Sequence, residues 1–158
     1  MASNIDEAQG VNTAGPYKPD NEERDEYYFG IAGKPRLVAR TSHNRWSRPV
    51  HEGASNTQRR KQYAPVLESE QPEITSKWTQ DLTPALIEAL NGCNWCSFFP
   101  IRIGFEDTPF DEFPTVLLVT VEKDSLQWEE GVAIALGCRK VIRDFEIANV
   151  EVEIREDS

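Results

Sequence analysis

The clearest hydrophobic pattern of the chain lies in residues 128–145. Apolar side chains, among them Trp128, Val132, Ala135 and Ile142, recur there at the spacing of one helical face. Acidic residues occupy the first turn and basic residues the later turns, which complements the helix macrodipole. The pattern predicts a long amphipathic helix, with Ser125 or Asp124 as its N-cap.

Three further segments have strand patterns. Residues 115–122 are almost continuously apolar, which predicts a strand covered on both faces. Residues 149–156 alternate apolar and charged positions, which predicts a strand with one wet face. Residues 96–105 predict a third strand, where Pro100 indicates an edge position.

A shorter helix is predicted before these strands. Thr83 and Pro84 fit the N-cap and first-turn positions of a helix that ends at Gly92. The order helix, strand, strand, helix, strand predicts an α+β fold with a small three- to four-stranded mixed sheet and two helices. Residues 36–41 supply the additional strand. The strands 115–122 and 149–156 should be parallel, and 96–105 should pair antiparallel with 115–122.

Composition divides the chain into three parts. Residues 1–26 contain Gly, Pro and many charges, and predict a disordered acidic tail. Residues 27–64 predict a basic extended arm with a short strand, here called the basic arm. Residues 65–158 predict a single compact α+β domain. The last part holds about 95 residues, which is near the small end of the domain range.

Charge follows the same division. The formal net charge of −10 separates into −5 for the tail, +7 for the basic arm and −12 for the compact part. This acidity argues against binding of nucleic acid or a membrane surface by the whole chain. The segregation instead favours docking of the basic arm onto an acidic surface, either in the same chain or in a protein partner.

Targeting signals are not evident in the sequence. The N-terminus lacks the apolar core of a secretory signal, and no apolar run approaches the length of a membrane span. Three cysteines fit reduced thiols better than a disulfide framework. We therefore expect a cytoplasmic or nuclear protein that is not secreted and has no membrane partner.

Two motifs resemble chemical sites. Cys93 and Cys96 form a C-x-x-C, but it follows a predicted helix, whereas a redox motif opens one. A zinc site would need two further ligands, and Cys138, His43 and His51 are the candidates. Small structural residues are the preferred interpretation, and we expect neither a metal nor a cofactor.

The loop after residue 105 concentrates carboxylates between phenylalanines. Its four acids are Glu106, Asp107, Asp111 and Glu112. They could hold a hard cation or line a ligand pocket, although the EF-hand spacing is absent. A solvated loop with its aromatic side chains under the sheet is the preferred interpretation.

The basic arm contains the candidate partner-binding residues. They combine cationic side chains with a tryptophan, as binding hot spots often do: Arg45, Trp46, Arg48, Arg59, Arg60 and Lys61. The same residues could contact nucleic acid, but the neighbouring excess of acids would repel a polyanion. His43 and His51 lie in the same segment without a recognisable nucleophile such as G-x-S-x-G. We therefore predict no catalytic residue.

A family resemblance adds to these observations. Two stretches of the chain resemble the region near the start of large fungal proteins. One is residues 33–42 with the following Trp46 and Pro49, and the other runs from residue 116 to the C-terminus. In that family a trypsin-like peptidase domain follows this region. The resemblance covers about residues 28–158 and implies no catalytic residue here, because peptidase activity would belong to the downstream domain that this sequence lacks.

The functional expectation combines these points. The leading hypothesis is a non-enzymatic accessory or protein-interaction domain of fungal type. The alternatives are a small enzyme or ligand-binding protein with a carboxylate-lined pocket, and a nucleic-acid binder that uses the basic arm.

Overall fold

The computed structural model describes residues 15–53 and 56–157. These residues form a five-stranded mixed sheet. The strands are β1 (Arg36–Arg40), β2 (Lys61–Ala64), β3 (Trp95–Phe105), β4 (Thr115–Val121) and β5 (Glu151–Glu156). Their spatial order is β1-β5-β4-β3-β2. The prediction of an α+β fold is confirmed, but the predictions of three to four strands and of two helices were wrong, because short helices also form at Asn21–Glu26 and Pro72–Lys77. The fifth strand is β2, at the end of the segment that was predicted as an extended arm with one short strand.

The pairing of the strands follows the predicted pattern. β4 and β5 are parallel, with Val119 opposite Ile154. β3 and β4 are antiparallel, with Phe99 opposite Leu118. β1 and β2 join the two sides of the sheet, each antiparallel to its neighbour. Both ends of the basic arm therefore belong to the same sheet as the predicted compact part.

Helices cover one face of the sheet. They are α2 (Pro72–Lys77), α3 (Thr83–Ala89) and α4 (Trp128–Asp144), and a π-helical turn, Trp78–Leu82, joins α2 to α3. Leu117, Val119 and Val121 of β4 pack there against Leu86 of α3 and Ile142 of α4. Every residue of β4 is buried, as its apolar run predicted.

The N-terminal segment covers the opposite face. Helix α1 (Asn21–Glu26) begins at Asp20, whose carboxylate accepts a hydrogen bond from the backbone N–H of Glu23 at 2.9 Å. The chain beyond α1 inserts Tyr28 and Ile31 into a second apolar cluster with Leu118. The predicted disordered tail was wrong for residues 21–26, because the cap and this burial stabilise a helix there. Residues 1–14 of that prediction lie outside the described residues.

Local predictions were less accurate at element ends. Thr83 does not cap α3, because the chain is already helical before it, and the Thr83 hydroxyl is buried without a hydrogen bond. Gln127, not Ser125 or Asp124, occupies the N-cap position of α4 and makes no side-chain capping bond.

The predicted edge position of Pro100 is correct for that part of β3, although β3 as a whole lies between β4 and β2. The backbone N–H of Ile103 donates to Pro114 before β4, so the backbone of Pro100 faces the other side of β3. On that side β2 pairs only with residues 102–105. No ladder hydrogen bond is therefore lost at Pro100.

Candidate functional site

A cleft of about 350 Å³ lies between the basic arm and the sheet face that α1 covers. We call it the arm cleft. Ile103 and Val116 supply its apolar floor, and both belong to the second apolar cluster. Its polar and aromatic lining is formed by Tyr27, Arg40, Arg45, Trp46, Lys61, Phe105, Glu112 and Glu153. Five separate segments of the chain therefore contribute to one concave site.

Lys61 begins β2 and lines the arm cleft. Its Nζ lies 3.5 Å from the centroid of the Tyr27 ring, and 5.6 Å and 5.7 Å from those of Tyr28 and Phe105. Burial disfavours the charged ammonium and lowers the pKa of Lys61 to about 8, against the opposing pull of Glu153. The aromatic rings partly compensate the lost hydration through cation–π contact.

Glu153 is a buried carboxylate beside Lys61. The hydroxyl of Tyr27 donates to its Oε2 at 3.0 Å, and that of Tyr28 donates to its Oε1 at 2.8 Å. Burial, and next the charge of Glu153, raise the pKa of both tyrosines well above the usual value. The alternation of β5 predicted a wet face here, which was wrong at Glu153 because the N-terminal segment covers it.

Arg40 completes the charged groups at the inner side of the cleft. Its guanidinium Nε donates to Oε2 of Glu23 at 2.9 Å, and both side chains are almost fully buried. Its Nη2 also donates to the backbone carbonyl of Asn44. Arg40 is thus neutralised by α1 and fixes the position where the arm leaves β1.

Arg45 and Trp46 line the cleft from the arm. The Arg45 guanidinium lies 3.8 Å from the centroid of the Tyr17 ring. Within residues 15–53 and 56–157 it has no carboxylate partner within 4.0 Å, and the same is true of Lys61. The indole Nε1 of Trp46 is buried and has no hydrogen-bond partner there.

The other predicted arm residues pair with carboxylates of α1 and of the loop after β3. Arg48 pairs with Glu22 at 2.9 Å and with Glu26 at 3.5 Å. Arg59 donates from Nε and Nη2 to the carboxylate of Asp107, with distances between 2.8 and 3.2 Å. Intramolecular docking of the basic arm, which the charge pattern favoured, is therefore present.

The four predicted acids do not form one site. Arg59, and then His51, hold the pKa of Asp107 below its usual value. Glu106 lies 4.0 Å from Arg60, and Asp111 is exposed. Of the four acids only Glu112 lines the arm cleft. The cleft next to this loop is therefore lined mainly by aromatic and cationic groups rather than by carboxylates.

Cysteine and histidine chemistry finds little support. Cys93, Cys96 and Cys138 are free thiols. Burial raises the pKa of Cys93 and raises that of Cys138 to about 12, which opposes thiolate formation. His43 is exposed. Among the residues that the structure describes, no group of three or more His, Cys, Asp or Glu side chains could hold a metal ion.

Sequence reasoning identified Arg45, Trp46 and Lys61 but missed Tyr27, Arg40 and Glu153. The sequence signal for Glu153 was its position between Val152 and Ile154 in an alternating strand. Because those two apolar side chains face α4, that of Glu153 lies on the opposite face of the sheet. Nothing in the local pattern indicated that the N-terminal segment returns over that face. Tyr27 and Tyr28 were adjacent aromatic residues without a predicted partner.

No protein-family model matches the chain, and comparisons with curated proteins and with solved structures found no match. The fungal resemblance therefore stays a prediction. In the described part of the chain no helix is long and apolar enough to cross a membrane.

Proposed function

We propose that this protein is a non-enzymatic binding module whose arm cleft takes a small ligand with an anionic group and an aromatic body. One observation carries the proposal: Arg45 and Lys61, two cations without a carboxylate partner in the described residues, line the same cleft. In a chain of net charge −10, carboxylates are abundant, yet they pair with the neighbouring arginines instead.

The walls of the cleft support the aromatic part of the proposal. Tyr27, Trp46 and Phe105 line it together with the apolar floor. A site of several hundred Å³ with aromatic walls and a few polar groups is typical of small-molecule pockets. The Trp46 N–H, which is buried without a hydrogen-bond partner in the described residues, adds a donor that a ligand oxygen would satisfy.

The same contacts bear on the hypotheses of a nucleic-acid interface and of a protein partner. A nucleic-acid interface would use the arm arginines, but Arg48 and Arg59 are held by carboxylates. A protein partner at Arg45, Trp46 and Arg48 stays a prediction, and so does a cytoplasmic location. The arm cleft favours a small anion because the half-buried Lys61 and the exposed Arg45 line one concave site.

Calorimetric titration with naphthalene-2-carboxylate tests the proposal, with the neutral naphthalene-2-carboxamide as the matched ligand. We expect the carboxylate to bind at least tenfold more tightly than the amide. Loss of one charge-assisted contact costs about 1.5 kcal/mol or more, so Arg45→Gln should weaken carboxylate binding by at least tenfold.

The control variant is Arg143→Gln, which removes an exposed cation of α4 outside the arm cleft. It should leave the affinity for naphthalene-2-carboxylate unchanged. Equal binding of the carboxylate and the amide, or equal effects of the two substitutions, would contradict the proposal. Circular dichroism of each variant verifies that the fold is retained.

A further inference from the structure

We propose that Lys61 is an amine nucleophile that captures an aldehyde or ketone group of a ligand in the arm cleft as a reversible imine. The inference rests on the proposed function for the seating of the ligand, because Arg45 would bind the anionic group. It goes further by assigning covalent chemistry to one side chain.

The position of the Lys61 amine carries the inference. Nζ lies over the Tyr27 ring at 3.5 Å and lines the cleft. In the described residues it has neither a hydrogen bond nor a carboxylate within 4.0 Å, although Glu153 is near. Two other lysines have direct polar partners: Lys77 donates to the carbonyl of Phe145, and Lys140 pairs with Asp144.

The backbone holds Lys61 in place. Its N–H donates to the carbonyl of Phe29 at 2.8 Å, and the residue pairs with Phe105 across β2 and β3. Gly30 lies beside this contact and adopts a φ of +104°. A Cβ atom at position 30 would lie 2.7 Å from the backbone nitrogen of Lys61. The turn before β1 therefore needs glycine in order to pack against the nucleophile's own backbone.

The surroundings of the amine favour its neutral form. Burial opposes the ammonium, Arg40 adds to this effect, and Glu153 and Glu23 oppose it, so that the pKa is about 8. Tyr27 and Tyr28 face the amine as neutral phenols, since their pKa values are raised. At pH 8 about half of Lys61 is unprotonated, compared with about 1% or less of an ordinary lysine.

The covalent step needs no further reagent. The lone pair of Nζ forms a bond to the carbonyl carbon, while the π electrons of the C=O bond move to oxygen, which takes up a proton. Nζ then releases a proton, and the hydroxyl leaves as water after protonation, which creates the C=N bond of a protonated imine. Loss of the remaining proton from Nζ gives the neutral imine, so that one water is the only by-product. Oxidation states balance, and hydrolysis reverses the reaction.

Reductive trapping tests the inference on the full chain. The protein is incubated at pH 8 with 4-formylbenzoate and cyanoborohydride, and peptide mass mapping locates the modified lysine. We expect Lys61 to be modified at least tenfold faster than the exposed Lys123. The rate at Lys61 should be half-maximal near pH 8.

Two variants separate the amine from its charge. Lys61→Arg keeps a cation in the cleft but cannot form an imine, so trapping at position 61 should be lost. Lys123→Arg changes an exposed lysine outside the arm cleft, and should retain both trapping at Lys61 and binding of benzoate, which has no aldehyde. Modification of all lysines in proportion to their exposure would overturn the inference. So would a total amount of lysine modification in Lys61→Arg that equals that of the wild type.

The failures of the two proposals are distinguishable. If naphthalene-2-carboxylate binds through Arg45 but Lys61 is not trapped, the imine inference is wrong and the binding function stands. If Lys61 is trapped equally fast by 4-formylbenzoate and by neutral 4-formylbenzamide, the amine is reactive and the anion-binding function is wrong.

Discussion

Lys61 shows how neighbouring groups change the chemistry of a common surface residue. Tyr27, Tyr28 and Phe105 surround its amine, while the nearest carboxylate, Glu153, is engaged by the two tyrosine hydroxyls. The sequence identified Lys61 as one of eight bases in the arm. Its burial depends on residues more than thirty positions away on either side, so no local pattern could distinguish it from Arg59 or Arg60.

The lowered pKa of Lys61 predicts a pH dependence of stability. The unfolded chain binds one proton more than the native state between pH 8 and 10.5, so Lys61 makes the unfolding free energy rise with pH in that window. Lys61→Met removes this linkage. We expect its unfolding free energy, relative to the wild type, to fall by about 2 kcal/mol between pH 7 and pH 9.5.

Urea denaturation of both proteins at the two pH values measures this difference. The comparison cancels the contributions of other groups that titrate equally in both proteins. A relative stability that is independent of pH, or one that moves in the opposite direction, would show that the Lys61 amine is solvated in the native state.

Helix α1 is the element whose role was least apparent from the sequence. Six residues with five charges predict no stable helix. In the fold, Asp20 caps it, Glu23 reaches the buried Arg40, and Arg36 pairs with Asp25. By contrast, α4, β4 and β5 were predictable because their hydrophobic periods are long and regular.

Removing the carboxylate of Glu23 tests whether α1 is an integral part of the fold. Glu23→Gln leaves Arg40 buried without its counter-charge, and we expect a loss of about 3 kcal/mol in unfolding free energy. Glu22→Gln is the matched control, because Glu22 pairs with Arg48 at an exposed position and should cost below about 1 kcal/mol. Urea unfolding measures both. Equal costs would indicate that the interaction of α1 with Arg40 is solvated.

The whole molecule is organised by charge as well as by apolar burial. The basic arm crosses the sheet face beside α1, and its arginines contact carboxylates on α1 and on the loop after β3. These contacts hold the arm against α1 and against the loop after β3. Two of the loop acids, Glu106 and Asp107, therefore act as docking points for the arm, and Glu112 contributes to the cleft lining.

Limited trypsin digestion tests this docking. Asp107→Asn removes the negative charge and one of the two carboxylate oxygens that accept from Nε and Nη2 of Arg59. We expect cleavage after Arg59 and Arg60 to become roughly fivefold faster. Asp111→Asn makes the same chemical change on the same loop, at a residue without an ion pair in the described structure, and should leave the rate unchanged. Identical digestion of the two variants would contradict a docked arm.

Periodicity along the chain was sufficient for the α+β class, for the antiparallel and parallel pairings around β4, and for the helix α4, because these depend on repeats within single segments. Segregated charge was sufficient to anticipate an arm held by acids. Four features could not be predicted in this way: the fifth strand, the helix α1, the placement of Glu153 and the arm cleft. They arise where distant segments meet, and there burial and neighbouring charges, rather than residue type, set the chemistry of a side chain.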